Sequence, residues 1–288
     1  MDFDVRAELE RIEGFLKDFI EGNGFKGAVL GVSGGIDSAV VLAILRRILP
    51  KDRIRALILP ERDSNPESLD DARLVCRTFG VDCSVRPITP ILRKLGVYRL
   101  QPPAILVPYS QKKKYALAKW RRLHGDRTYE ADVNLEGDEE FLKGVAYYRA
   151  KHRVRMCVLY MESEMRGYTV VGTTNKTEWL TGFYVKWGDD ATDVEPLLHL
   201  YKTQVLKLGE FLGVPERILK KPPSPDLIPG VTDEFALGMS YKEIDEILMA
   251  MEEGRSLDEF EHEKLERVKK LLELSKRRNL RMVSLLDG

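Results

Sequence analysis

No uninterrupted apolar run in this chain approaches the roughly 20 residues that a membrane-spanning helix needs. The segment 1–21 mixes charged groups with Phe3, Leu9, Ile12, Phe15, Leu16 and Phe19 at helical spacing, unlike the apolar core of a signal peptide. A structural first helix and a cytoplasmic protein are therefore expected. Cysteine is scarce: Cys76, Cys83 and Cys157 contain no CxxC pair, and their odd number argues against a disulfide framework and for buried thiols. A surplus of charge of one sign is also missing, with 46 Lys and Arg against 46 Asp and Glu. No whole-molecule field then calls for nucleic acid or an anionic membrane, and any polyanion site must be local. His124, His152, His199 and His262 show no metal-ligand spacing, and no internal repeat is evident.

What the chain does have is length and apolar content. With 288 residues and 43% hydrophobic side chains it can bury a large core, and it reads as one domain over 1–288 with an insertion. Residues 27–32 (GAVLGV) form a short apolar run, followed at once by Ser33-Gly34-Gly35-Ile36-Asp37-Ser38 and a helical stretch over 39–49. Strands are expected at 54–59, 81–86 and 168–171, with helices at 67–79, 145–165, 200–212, 241–251 and 257–275. Alternation of this kind means a doubly wound parallel α/β sheet, of about five strands flanked by helices. Between 98 and 144 the pattern breaks. Pro102, Pro103 and Pro108 precede basic Lys112-Lys113-Lys114 and then acidic Glu136, Asp138, Glu139 and Glu140, so this segment is expected as an insertion or lid with a solvated face. Pro222, Pro223, Pro225 and Pro229 mark an extended loop.

Glycines placed between a strand and a helix leave backbone N–H groups open, and the helix points its positive end at the same spot. Gly31, Val32, Ser33, Gly34, Gly35, Ile36, Asp37 and Ser38 thus read as a phosphate-binding turn. It is not a Walker A loop, because Ile36-Asp37-Ser38 stands where that motif needs a lysine. An aspartate beside bound phosphates would repel them unless a Mg²⁺ lay between, since that cation takes one or two carboxylates together with phosphate oxygens.

Ser33 to Ser38 resembles the SGGxDS signature of the PP-loop, or N-type ATP pyrophosphatase, superfamily, whose fold is adenine nucleotide alpha hydrolase-like. The resemblance implies cleavage between the α and β phosphates of ATP, with AMP left on an acceptor. Further along stand Gly172-Thr173-Thr174-Asn175-Lys176-Thr177-Glu178, then Gly182-Phe183-Tyr184-Val185-Lys186-Trp187-Gly188-Asp189, and then Asp193. Pro196-Leu197, Tyr201-Lys202-Thr203-Gln204, Pro223-Ser224-Pro225-Asp226-Leu227 and Gly230-Val231-Thr232-Asp233-Glu234 follow. In this order they resemble the ammonia-dependent NAD synthetase family, whose pattern is GTxxxxE, GxxxKxGD and a downstream Asp. The resemblance implies amidation of deamido-NAD with ammonia through an acyl-adenylate, by a homodimer.

By that resemblance Asp37 and Glu178 hold the metal, and Thr173, Lys202 and Ser224 join the glycine turn in binding ATP. Arg153, Lys186, Asp193 and Lys276 contact the dinucleotide. Asp37, Lys202 and Asp189 are expected as the catalytic set, Asp189 holding the ammonium on the strength of its position after Gly188 and its charge. The chain departs from the family where Arg149 stands in place of an Asn, where Val231 stands in place of a Gln, and in the length of 98–144. A related PP-loop enzyme that adenylates another carboxylate or a tRNA base is the alternative. No catalytic cysteine pair, zinc ribbon or RNA-binding module supports the RNA version.

Overall fold

The computed structural model describes residues 3–101, 107–124, 127–224 and 230–280. Pro102, Pro103, Pro225, Asp226, Leu227 and Pro229 lie outside the described residues. Helix α1 (Val5–Gly22) precedes β1 (Ala28–Gly31), α2 (Ile36–Ile48), β2 (Ile54–Ile58), α3 (Pro66–Thr78), β3 (Cys83–Val85) and α4 (Thr89–Lys94). After these come α5 (Tyr109–His124), α6 (Thr128–Asn134), α7 (Glu139–Glu164), β4 (Thr169–Val170) and α8 (Lys176–Thr181). The chain continues through α9 (Lys202–Phe211), α10 (Glu216–Leu219), α11 (Asp233–Leu237), α12 (Tyr241–Glu252) and α13 (His262–Asn279). Among the described residues no helix is long and apolar enough to cross a membrane.

The strands pair in parallel in the order β3-β2-β1-β4. About five strands were expected and four form. A fifth is reduced to a bridge between Val171 and Val194, flanked by hydrogen bonds from Asp193 N to Val170 O and from Gly172 N to Val194 O. Pro196 follows two residues later, and without an N–H it cannot extend a ladder.

Side chains alternate across the sheet and both faces are covered, as a parallel sheet requires. Ala28 and Leu30 of β1, with Ala56 and Ile58 of β2, pack with α1, α2, α3 and α9. Val29 and Leu57 face the other way, onto Leu92 of α4 and Val154 and Val158 of α7. A second apolar cluster gathers Val133 of α6, Ile244 and Leu248 of α12 and Leu271 of α13. The segment expected as solvated surface therefore has a buried side: Tyr129, Ala131 and Val133 of α6 are all buried. Seven residues are too few to show a helical period, which is why α6 was not legible. Helix α7 begins earlier than expected because the Asp138 carboxylate caps it, accepting from Phe141 N at 2.8 Å.

From β1 the chain winds to β2 on one side, while β4 lies on the other. The carboxyl ends of β1 and β4 thus flank the point where strand order reverses, and there a crevice opens.

Candidate active site

The turn after β1 is held by its own serines. Ser38 Oγ accepts from Ser33 N at 3.2 Å and donates to Gly35 O at 3.1 Å, and Ser33 Oγ accepts from Gly35 N at 3.2 Å. Gly34 has φ +80°, and a Cβ there would stand 2.7 Å from Ser68 O and 2.8 Å from the Asp71 Cβ, so no other residue fits. Gly35 caps α2 with no side-chain hydrogen bond, which leaves the first-turn N–H groups available to an anion.

Asp37 in the first turn of α2, Glu178 on α8 and Lys202 at the start of α9 are brought together. Lys202 is 2% exposed, and its Nζ stands 2.6 Å from Asp37 Oδ2 and 3.1 Å from Glu178 Oε1. Asn175 Nδ2 donates to the other Asp37 oxygen at 3.0 Å. Asn175 also forms a reciprocal cap with Glu178, which fixes that carboxylate at the start of α8. Asp233, at the start of α11, accepts from Tyr241 Oη at 2.9 Å, and its Oδ1 is buried without a partner among the described residues.

Two carboxylates here share one ammonium, and a third, Asp233, lies within its field. Burial lifts the Glu178 carboxyl to about 8, with Lys202 opposing and Asp37 and Asp233 adding repulsion. Burial likewise lifts Asp233 to about 6 against the pull of Lys202. For Lys202 burial works against the charge, but Asp37 and Glu178 outweigh it and raise it well above an ordinary lysine. The lysine stays charged while the carboxylates remain short of positive charge. That shortage and the orphaned Asp233 oxygen suit a hard divalent cation. Among the described residues no group of three or more His, Cys, Asp or Glu could hold a metal ion, so a cation here would need donors from outside the protein.

The remaining expected residues divide. Arg153 of α7 donates through Nε and Nη2 to Lys186 O at 3.3 and 3.2 Å, tying α7 to the loop after α8. Lys186 Nζ lies 5.5 Å from the Trp187 ring centroid. Asp189 Oδ1 accepts from Val185 N at 2.7 Å and stands 3.2 Å from His152 Nδ1. Asp193 is committed to the sheet edge: it accepts from Val170 N at 2.7 Å, Thr169 Oγ1 at 3.1 Å and Tyr160 Oη at 3.0 Å. Lys276 is exposed in the last turn of α13. Ser224 Oγ donates to Val231 O at 3.1 Å. Thr173 lies between Gly172 and Thr174 at the end of β4, half-buried.

Several residues escaped the sequence reading. Glu195 accepts from Thr174 N at 2.9 Å, Thr174 Oγ1 at 3.1 Å and Thr192 Oγ1 at 3.0 Å, and it fills the space where a Gly172 Cβ would stand. Burial pushes its carboxyl up to about 8. With Thr174, Trp179, Asp190 and Asp193 it lines a cavity of about 160 Å³. Arg278 turns inward beside exposed Lys276 and meets Asp132 of α6 at 2.9 Å. The doublet Asp233-Glu234 stood in a matched motif, a signal that could have marked Asp233; Glu195 and Arg278 carried none.

A model of the NAD synthase family matches residues 8–104 and 126–280, passing over 105–125 inside the expected insertion. An NH(3)-dependent NAD(+) synthetase of Thermotoga maritima is 58% identical over 268 residues, covering 93% of this chain and 95% of that protein. One from Thermococcus kodakarensis is 34% identical, covering 85% and 80%. Among solved structures, an NMN synthetase from Francisella tularensis superposes with a TM-score of 0.75 at 28% identity, covering 99% of this chain and 100% of its own. With the family's match spanning both the glycine turn and the Glu178–Lys202 region, and relatives similar over nearly the full length, this chain belongs to the NAD synthase family.

Proposed function

We propose that this enzyme adenylates the nicotinate carboxylate of deamido-NAD with ATP and passes the acyl group to ammonia, releasing pyrophosphate, AMP and NAD. The observation that carries the reading is the convergence of Asp37 and Glu178 on buried Lys202, beside an uncapped helix N-terminus.

The glycine turn and the first turn of α2 receive the β and γ phosphates. Lys202 faces the charge that builds as the carboxylate oxygen attacks the α-phosphorus and the bond to the β-phosphate oxygen breaks. Asp37 and Glu178 would hold Mg²⁺ together with phosphate oxygens, where it would neutralise charge on the leaving pyrophosphate. Arg153 and Lys186 supply cations to the dinucleotide's own pyrophosphate. Asp189 holds the ammonium as its counter-charge; one proton passes to solvent before the nitrogen attacks, and a second leaves with the AMP phosphate as the C–N bond forms and the C–O bond to AMP breaks. The adenylate must be shielded from water meanwhile. The segment 98–144 suits a lid: Lys112 of α5 meets Asp63, beyond β2, at 2.7 Å, and Lys113 packs against Gly230.

The reading extends to one catalytic unit over 1–288, working as a cytoplasmic homodimer. Exposed apolar side chains such as Phe211 and Met161 are compatible with a partner surface. Purified enzyme with Mg²⁺, ATP, ammonium and deamido-NAD is expected to yield NAD, AMP and pyrophosphate in equal amounts. ADP and inorganic phosphate as products would refute it, and turnover of the nicotinate mononucleotide in place of the dinucleotide would shift the substrate.

A further inference from the structure

Helix α7 touches the loop between α8 and Asp193 at two consecutive residues. Arg153 grips the backbone at Lys186, and His152 reaches the carboxylate of Asp189. Val185 N donates to Oδ1 of that carboxylate, and His152 Nδ1 stands 3.2 Å from the same oxygen. Oδ1 is anchored, the residue's own backbone N–H also favours the charged carboxylate, and the side chain is 39% exposed, which leaves it open to a ligand. The Val185 bond is local, four residues back in the same loop. Among the described residues, His152 is the side chain from another element that reaches the carboxylate.

His152 itself is an unlikely filler for its position. Its side chain is 12% exposed and its Nε2 is buried with no partner among the described residues, which costs free energy that an apolar side chain would not. It is wedged against the turn it serves: a Cβ at Gly188 would stand 2.8 Å from the His152 Cβ. The preceding residue, Trp187, holds φ +60°, a left-handed backbone uncommon for a bulky residue.

We propose that His152 is the positioning residue for ammonium, donating through Nδ1 to Asp189 Oδ1 so that the carboxylate is presented to the cation. This rests on the amidation reading above. The imidazole acts through Asp189 and does not touch the reacting atoms. The group recognised is a small cation able to donate hydrogen bonds, and the tautomer required carries its proton on Nδ1.

Two variants separate positioning from packing. His152→Leu fills the space without a donor, and His152→Asn keeps a donor near the Nδ1 position but leaves a gap. The Leu variant is expected to raise the KM for ammonium about tenfold or more, the scale of one lost charge-assisted hydrogen bond. The KM values for ATP and deamido-NAD should stay within about twofold, and ammonia-free exchange of pyrophosphate into ATP, which reports adenylation alone, should persist. His152→Asn should recover most of the ammonium affinity while melting at a lower temperature. An unchanged ammonium KM in the Leu variant, or equal loss of exchange and amidation in both variants, would overturn the assignment. Absence of deamido-NAD-dependent exchange in the unmodified enzyme would overturn the parent reading instead, and this inference with it.

Discussion

The Arg149 guanidinium donates to the Asp132 carboxylate at 3.1 Å and to its backbone carbonyl at 2.7 Å. One partner is the residue that stands where the resemblance called for Asn, and the other comes from the segment that looked like an insertion. Each departure accounts for the other: α6 supplies the carboxylate that makes a buried arginine tolerable on α7. Arg278 of α13 shares the same oxygen, so Asp132 joins three helices.

Removing that hub should be costly. Asp132 is 6% exposed at its side chain, and Asp132→Ala would leave two buried guanidinium groups without their anion. Loss of about 3 to 5 kcal/mol is expected, read from the urea midpoint at unchanged m-value. A loss below about 1 kcal/mol would show that the arginines find other partners.

At the Asp37–Glu178–Lys202 cluster, Lys202→Met should lower kcat by about 10²- to 10³-fold, the scale of removing one preorganised charge from a transition state. Asp37→Asn and Glu178→Gln should each shift the Mg²⁺ concentration for half-maximal rate upward, because each removes one carboxylate from a site that offers few. Steady-state rates against Mg²⁺ measure both, and an unshifted Mg²⁺ dependence in either variant would remove that residue from the metal site.

Gly34→Ala should weaken ATP binding and folding together. A left-handed backbone costs an L-residue about 1 to 2 kcal/mol, and the added methyl would press on Ser68 O and the Asp71 Cβ. Calorimetry with ATP and a thermal melt check the two halves.

A pH effect follows from Glu195, whose folded pKa of about 8 lies above the usual 4.5. A raised carboxyl stabilises the fold while protonated. That contribution is complete below about pH 4.5 and is lost as pH rises through about 8. Glu195→Gln should therefore flatten stability against pH over this window. The Thr174 and Thr192 hydroxyls can rotate to accept from an amide. Denaturation midpoints at pH 5 and pH 8.5 that differ as much in the variant as in the native protein would refute the assignment.

The strand-turn-helix that carries Asp37 was legible because apolar runs and glycines lie next to each other in sequence, and Glu178 was legible because a second such strand end follows a long helix. The Asp132–Arg149–Arg278 hub was not. Its members lie 17 and 146 residues apart, in polar stretches without a period, and only the docking of α6 on α13 brings them together. The His152–Asp189 contact was hidden for the same reason. A lone histidine within a helix carries no mark of what the neighbouring loop will present to it. The missing fifth strand is a matter of one proline, Pro196, whose effect on a ladder depends on which edge it meets.

Lys202 is also a placeholder. With its ammonium seated between Asp37 and Glu178, the like-charged arms are drawn together by the chain's own lysine, so the work of assembling them is done as the chain folds. On the proposed reading, the phosphates of an incoming nucleotide would compete for a lysine that must loosen its hold on one carboxylate. Binding would then be a charge exchange, its ease set by how readily that single ammonium changes partners.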